Sequence, residues 1–174
     1  MPDSHGDPDV PHVASIDTGT SLSVGAVTVV IGASDWTDGS LNVMDQIVPP
    51  GLIVAPHSHE KEHQATYVVR GTLGFWVDGE EFEIGAGGYI HRPAGKVHTL
   101  WNATDEPAQM LEITTPGRGF ETYMRALSDL NDSGAADMES VTRLCARHGV
   151  HMVPGLLKEL CAKHGVSPAG GFWK

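Results

Sequence analysis

The sequence predicts a mainly β body, a barrel or sandwich, followed by a short helical extension at the C-terminus. Three observations carry this. Runs rich in β-branched and aromatic residues recur at intervals of about 8–12 residues between turn signals. Twenty-one glycines and eleven prolines, without a short repeat, supply many tight turns. Beyond Pro116-Gly-Arg-Gly119 the apolar spacing becomes helical. The 174 residues fit one domain, large enough to bury a core without staples.

Residues 1–11 are polar and hold Pro2, Pro8 and Pro11, so they read as a flexible lead-in to a barrel spanning 12–119. The run from Ser21 to Ile31 is β-branched with Gly25 inside it, and predicts one or two strands. Turn chemistry at 34–40 precedes a strand over 41–48, and Pro49-Pro50-Gly51 breaks the chain. Strands follow over 64–70 and 72–77. Asp78-Gly79 marks a tight hairpin that returns through 81–84. Further strands are expected at 89–92, 98–102 and 108–114. In 120–174, Phe120, Tyr123, Met124, Leu127 and Leu130 have helical spacing, as do Met138, Val141, Leu144 and Cys145. Pro154 opens a third helix, and Gly149 and Gly165 read as C-caps. These helices are expected to pack on the barrel exterior or over its mouth.

The formal net charge is −11, with 22 acidic against 11 basic residues, and no basic footprint for nucleic acid exists. No apolar run approaches the roughly 20 residues of a membrane span. The N-terminus lacks the basic and apolar regions of a signal peptide, so the expected compartment is the cytoplasm. Cys145 and Cys161 then read as reduced, buried thiols.

The chemistry concentrates between residues 51 and 102. The first segment runs Gly51, five residues, His57-Ser-His59, four residues, Gln64, six residues, Gly71. The second runs Gly87, five residues, Pro93-Ala-Gly95, two residues, His98, three residues, Asn102. Side chains alternate along a strand, so His57 and His59 project to one face. Two imidazoles side by side, with a third arriving from elsewhere, suit a divalent transition metal. The bland alternative is a set of barrel histidines without metal, which three histidines at these spacings disfavour.

These paired segments resemble the two motifs of the cupin superfamily, over about residues 40–115. The resemblance extends to small single-domain bacterial cupins of the quercetin 2,3-dioxygenase-like kind. It implies a cupin-type double-stranded β-helix (jelly-roll) barrel with one divalent transition metal inside, iron, nickel, zinc, manganese or cobalt. Carried over by position, the metal ligands are His57, His59 and His98, with Gln64 where the family has Glu. Gln64 is a neutral, weaker donor, and His63 beside it is chemically better. The two cannot both face inward on a regular strand, and the family spacing to Gly71 favours Gln64 inward and His63 outward. Glu62 shares the parity of Gln64 and keeps a carboxylate ligand in play. His91, two residues before Pro93, is a candidate proton carrier, with a surface histidine the equal alternative. Tyr67, Phe75, Trp76 and Trp101 are expected to line the pocket or the core. His148, His151 and His164 read as capping or surface residues.

The resemblance implies an enzyme acting on a small aromatic or enol/hydroxyketone molecule, a quercetinase-like dioxygenase first. Loss of the family Glu raises a non-oxidative cyclase, isomerase or dehydratase acting on a polyketide-like substrate. A non-catalytic ligand-binding module is the third reading. A homodimer is expected, pairing an exposed edge in residues 12–31.

Overall fold

The computed structural model describes residues 7–169. Residues 1–6 of the expected lead-in, and the last five of the expected extension, lie outside the described residues. Chain order is β1 (Thr20–Ser23), β2 (Val27–Gly32), a 3₁₀ turn at Ser34–Thr37, β3 (Asn42–Val48), β4 (Leu52–Ile53) and β5 (His57–His59). There follow β6 (His63–Arg70), β7 (Thr72–Val77), β8 (Glu80–Gly85), β9 (Tyr89–Arg92), β10 (His98–Trp101) and β11 (Ala108–Thr115). The remainder is α1 (Gly117–Asp132), α2 (Met138–Arg147), β12 (Val150–Met152), α3 (Pro154–His164) and β13 (Ser167–Pro168).

Two sheets face each other as a jelly-roll. The first has strand order β1-β2-β3-β11-β6-β9, antiparallel throughout. The second runs β12-β5-β10-β4-β13, with β7 and then β8 added beyond β10. Val77 faces Glu80 across a two-residue turn, where Asp78 and Gly79 both have positive φ (49° and 104°). That conformation matches strand twist and is why Asp-Gly stands there. The segment expected to dimerise contains β1, which is an edge of the first sheet.

Register places a polar row on the inner face of the first sheet. Asn42, Thr114, Gln64 and Arg92 are neighbours across β3, β11, β6 and β9, and all four are buried. The next row inward is Met44, Glu112, Thr66 and Ile90. Deeper still, Val48, Val68, Leu73, Phe75, Leu100 and Met110 form the apolar core. The barrel is therefore apolar at its base and polar toward the end where the histidines sit.

The C-terminal region departs from the sequence expectation. Three helices are present, but the region also contributes two strands. β12 pairs with β5, and β13 pairs with β4 in parallel. The first helix also begins three residues earlier, at Gly117, directly after Pro116. It is fixed by Glu121, whose carboxylate accepts from the Ser34 backbone N–H at 2.6 Å and from Asn42 Nδ2 at 2.8 Å. Phe120, Tyr123 and Met124 then pack with Leu22, Val30 and Met44. α2 starts with a capping box of Asp137 and Ser140, and α3 ends at Gly165 in the left-handed conformation.

Outside the second sheet, Trp101 packs with Ile53, Leu157, Leu160 and Val166. Its ring lies 4.2 Å from that of His164 at the end of α3. Its cross-strand neighbour is Gly74, where a Cβ would stand 2.2 Å from the Trp101 ring. Glycine here leaves the space that the indole fills. Gly74→Ala is therefore expected to cost about 1–3 kcal/mol through overpacking, read as a lower urea midpoint with unchanged slope. An unchanged midpoint would mean that the indole is not confined by that backbone.

Candidate metal centre

β5 presents His57 and His59 on one face, and His98 opens β10 directly opposite His57. Ligand nitrogens of the three lie within 4.8 Å of one another. The ring centroids are 4.9 Å apart for His57 and His59, 4.6 Å for His57 and His98, and 5.6 Å for His59 and His98. The backbone dictates the tautomer of two rings. His57 Nδ1 is 2.7 Å from the Ala55 carbonyl and His98 Nδ1 is 2.9 Å from the Lys96 carbonyl. A carbonyl only accepts, so both Nδ1 atoms carry hydrogen and both Nε2 atoms keep a lone pair.

Among the described residues, three buried atoms of this cluster have no hydrogen-bond partner: His59 Nε2, His98 Nε2 and Gln64 Oε1. Buried acceptors are rarely left so. Together with the imidazole donor set, they fit a divalent transition ion better than an empty polar pocket. Burial lowers the pKa of His57 to about 4, with the Ala55 bond opposing and Arg92 adding to the effect. Burial first, then His57 and Arg92, takes His59 to about 2. The same causes hold His98 well below the imidazole range. All three are neutral at pH 7 and ready to coordinate.

The other sequence candidates divide sharply. Gln64 faces the cavity, whereas His63 is exposed on the outer face. Glu62 is buried, but its carboxylate lies 3.9 Å from His59 Nδ1, the nitrogen other than the unpartnered Nε2. It backs His59 and does not join the ligand cluster. His91 points outward: along β9, Tyr89 and His91 are exposed while Ile90 and Arg92 are buried. Its Nε2 meets His63 Nδ1 at 3.2 Å on the outer surface. The expectation of a proton carrier at the cavity is corrected by strand alternation. Of the four aromatics, Phe75 is in the core, Trp101 packs under α3, Trp76 is half-buried beside Trp101 and Tyr67 is exposed. Phe120 and Tyr123 of α1 line the cavity instead. His151 pairs with Glu60 at the surface and His164 with Glu81.

Sequence reading missed the buried trio of Arg92, Glu112 and Thr66. Arg92 Nη2 donates to Glu112 Oε1 at 2.6 Å and to Thr66 Oγ1 at 2.7 Å, and Thr66 donates to Glu112 Oε2 at 2.9 Å. Burial raises the Glu112 pKa, opposed by Arg92 and Thr66. The available signal was parity. Glu112 shares the inward phase of Ala108, Met110 and Thr114. The cavity of about 120 Å³ is bounded by His57, His59, Gln64, Arg92, Glu112 and Tyr123 among others.

The cupin domain family matches residues 44–114. Quercetin 2,3-dioxygenase of Bacillus subtilis (strain 168) is 30% identical over 121 residues, covering 69% of this chain and 35% of that protein. The chain thus spans about a third of that relative's length. Among solved structures, KdgF from Halomonas sp. superposes with a TM-score of 0.56 at 18% identity, covering 63% of this chain and 96% of that one. A conserved Klebsiella pneumoniae protein with a double-stranded β-helix domain gives 0.52 at 22%, covering 63% and 93%. Such likeness shows the shared fold alone.

The depressed imidazole pKa values set a direction for stability in the metal-free protein. Between the unfolded value near 6.5 and the folded values of about 4 and 2, the unfolded chain holds more protons than the folded one. The stabilising contribution is complete above about pH 6.5 and is lost as pH falls, for His57 through about 4 and for His59 down to about 2. Melting temperature should fall across this window, and a His57→Asn/His98→Asn variant should show a flatter slope. Zinc at a thousandfold over its Kd should add about 4 kcal/mol to the wild type and little to the variant. Equal zinc stabilisation of both would remove these imidazoles from the site.

Proposed function

Because residues 44–114 make this chain a small cupin-superfamily protein, we propose that it is a metal-dependent enzyme acting on a small enol or hydroxyketone-type molecule. The observation that carries the proposal is the convergence of three neutral imidazoles with partnerless Nε2 and Oε1 atoms. His57, His59 and His98 would hold one divalent ion, with Gln64 as the fourth donor. Such an ion, when bound, supplies Lewis acidity and, where it is redox-competent, chemistry with dioxygen.

The chain's own residues account for the remainder. Four neutral donors leave the ion's charge uncompensated, which strengthens its pull on an acidic hydroxyl. Phe120, Tyr123 and Met124 wall the cavity from the α1 side with largely apolar surface. At about 120 Å³ the space is well below the ~300–1,000 Å³ of pockets that bury drug-sized ligands. A compact substrate fits that space. Likeness to a quercetin 2,3-dioxygenase favours oxygen-dependent cleavage as the reaction. Gln64 in the carboxylate position favours a second reading, isomerisation, cyclisation or dehydration without oxygen.

Protein loaded separately with iron, nickel, cobalt and zinc, and offered acetylacetone and quercetin with and without air, tests both. The dioxygenase reading expects oxygen uptake with iron or nickel and none with zinc. Turnover under strict anaerobiosis, zinc included, would replace it with the second. His57→Ala or His98→Ala should lower turnover by more than about 100-fold, since even residues behind metal ligands cost 10–100-fold. Full activity in either variant would end the metal-enzyme reading.

A further inference from the structure

We propose that Arg92 is an anion anchor in the cavity, so that the molecule accepted there carries a carboxylate beside the group that meets the histidine cluster. The proposal rests on the reading above, in which this cavity is the active site.

Arg92 is only 3% exposed, yet it shares the cavity wall with His57, His59 and Gln64. Across β6 and β9 its direct partner is Gln64. Its charge reaches all three imidazoles and disfavours a proton on each. The guanidinium is therefore part of the same site.

Its hydrogen bonding is half used. A guanidinium offers five N–H donors in a rigid fork. Among the described residues, every bond Arg92 makes runs through Nη2, toward Glu112 and Thr66. Nε is buried and has no partner. Arginine–carboxylate pairs are frequently bidentate, fork to fork through two nitrogens, as Arg125 is on Glu121. Here a single nitrogen secures the arginine, and Phe75 supports its face at 5.8 Å. Glu112 and Thr66 are thus positioning residues, and the unsatisfied donor is kept for another acceptor.

The charge balance agrees. The histidines and Gln64 contribute no negative charge, and Arg92 and Glu112 cancel. A divalent ion would therefore leave the cavity net positive among apolar walls such as Val54, Leu100 and Met110. The volume of about 120 Å³ is small beside the ~300–1,000 Å³ of pockets that bury drug-sized ligands. A compact oxo-acid meets both limits, and a multi-ring neutral molecule meets neither.

Pyruvate and pyruvamide, equal in heavy-atom number and differing in charge, are suitable probes. Binding to metal-stripped protein at pH 7.5 is measured by ligand-observed NMR. Pyruvate should bind about tenfold more tightly. The preference should fall to about twofold or less in Arg92→Gln/Glu112→Gln, which removes both charges together and leaves none alone in the interior. Equal binding of the probes, no binding of either at millimolar concentration, or a preference surviving in the double variant would overturn the anchor. Should that variant not fold, Arg92→Lys takes its place. A severalfold weaker preference then supports the proposal and an unchanged one overturns it. Cobalt titration of the wild type separates the two levels: an intact cobalt site without acid preference sinks only the anchor, whereas loss of the site sinks the functional reading itself.

Discussion

Three imidazoles packed within 4.8 Å must all remain uncharged, and the end of the barrel is organised around that requirement. A proton on any one would meet two neighbouring rings and the Arg92 guanidinium in a place with little water. Burial imposes neutrality, and the backbone then decides which nitrogen keeps the hydrogen. The device is local and appears twice: a carbonyl two residues upstream, Ala55 for His57 and Lys96 for His98, takes the Nδ1 hydrogen. The ring is thereby oriented by its own strand, whatever occupies the cavity. His59 lacks such a carbonyl and has Glu62 behind it at 3.9 Å, with Phe120 against its ring at 5.6 Å.

A cluster that admits no charge of its own still sits beside two charged groups. Burying Arg92 and Glu112 costs several kcal/mol of hydration per ion before their attraction offsets it, and removing one partner alone costs about 3–5 kcal/mol. Well-packed hydrophobic residues of similar volume often match or exceed such a pair in stability. Around them, Asn42 Oδ1, Gln64 Oε1 and Thr114 Oγ1 are buried without partners in a single cross-strand row. That accumulation disfavours the folded state and contrasts with the dry apolar layer beneath it. The barrel carries its stability in one layer and its chemistry in the next.

Most of the fold was legible because its turns demand glycine. Gly51, Gly71, Gly87 and Gly95 of the two motifs all have positive φ, between 72° and 85°, and only their spacing had to be read. Alternation resolved His63 from Gln64, since the strand has a definite start. The same rule, applied to Tyr89–Arg92, would have turned His91 outward and Arg92 inward. Arg92 went unread because buried arginine is rare, and its partner Glu112 lies on β11, across β6, where only register brings them together. On β10 an inward His98 sends Leu100 inward and Trp101 to the other face, but all four residues are buried, so the helical cover over Trp101 could not be read from alternation; the missing Cβ of Gly74 leaves the indole its space there. The strands β12 and β13, three and two residues long, are too short to show any period.

The division between matched and unmatched sequence bears on how far relatives inform function. His57, His59, Gln64, Arg92, His98 and Glu112 all fall within residues 44–114, the span shared with the cupin domain family. So do the lining residues Gln46, Val48, Leu52, Val54, Leu100 and Met110; the rest of the wall does not. Val24, Phe120, Tyr123, Met124 and Leu127 come from β1's flank and α1, outside that span. β12, which clamps the outer edge of β5 by pairing Met152 with His57 and Val150 with His59, also lies beyond it. The donor set and the charge pair therefore lie wholly in the matched span, while the α1 wall of the cavity lies outside it. The cavity is thus a composite: its donors and its apolar floor come from the matched span, and the wall that closes over them comes from α1, so a change in α1 alters the volume of the cavity without touching a donor.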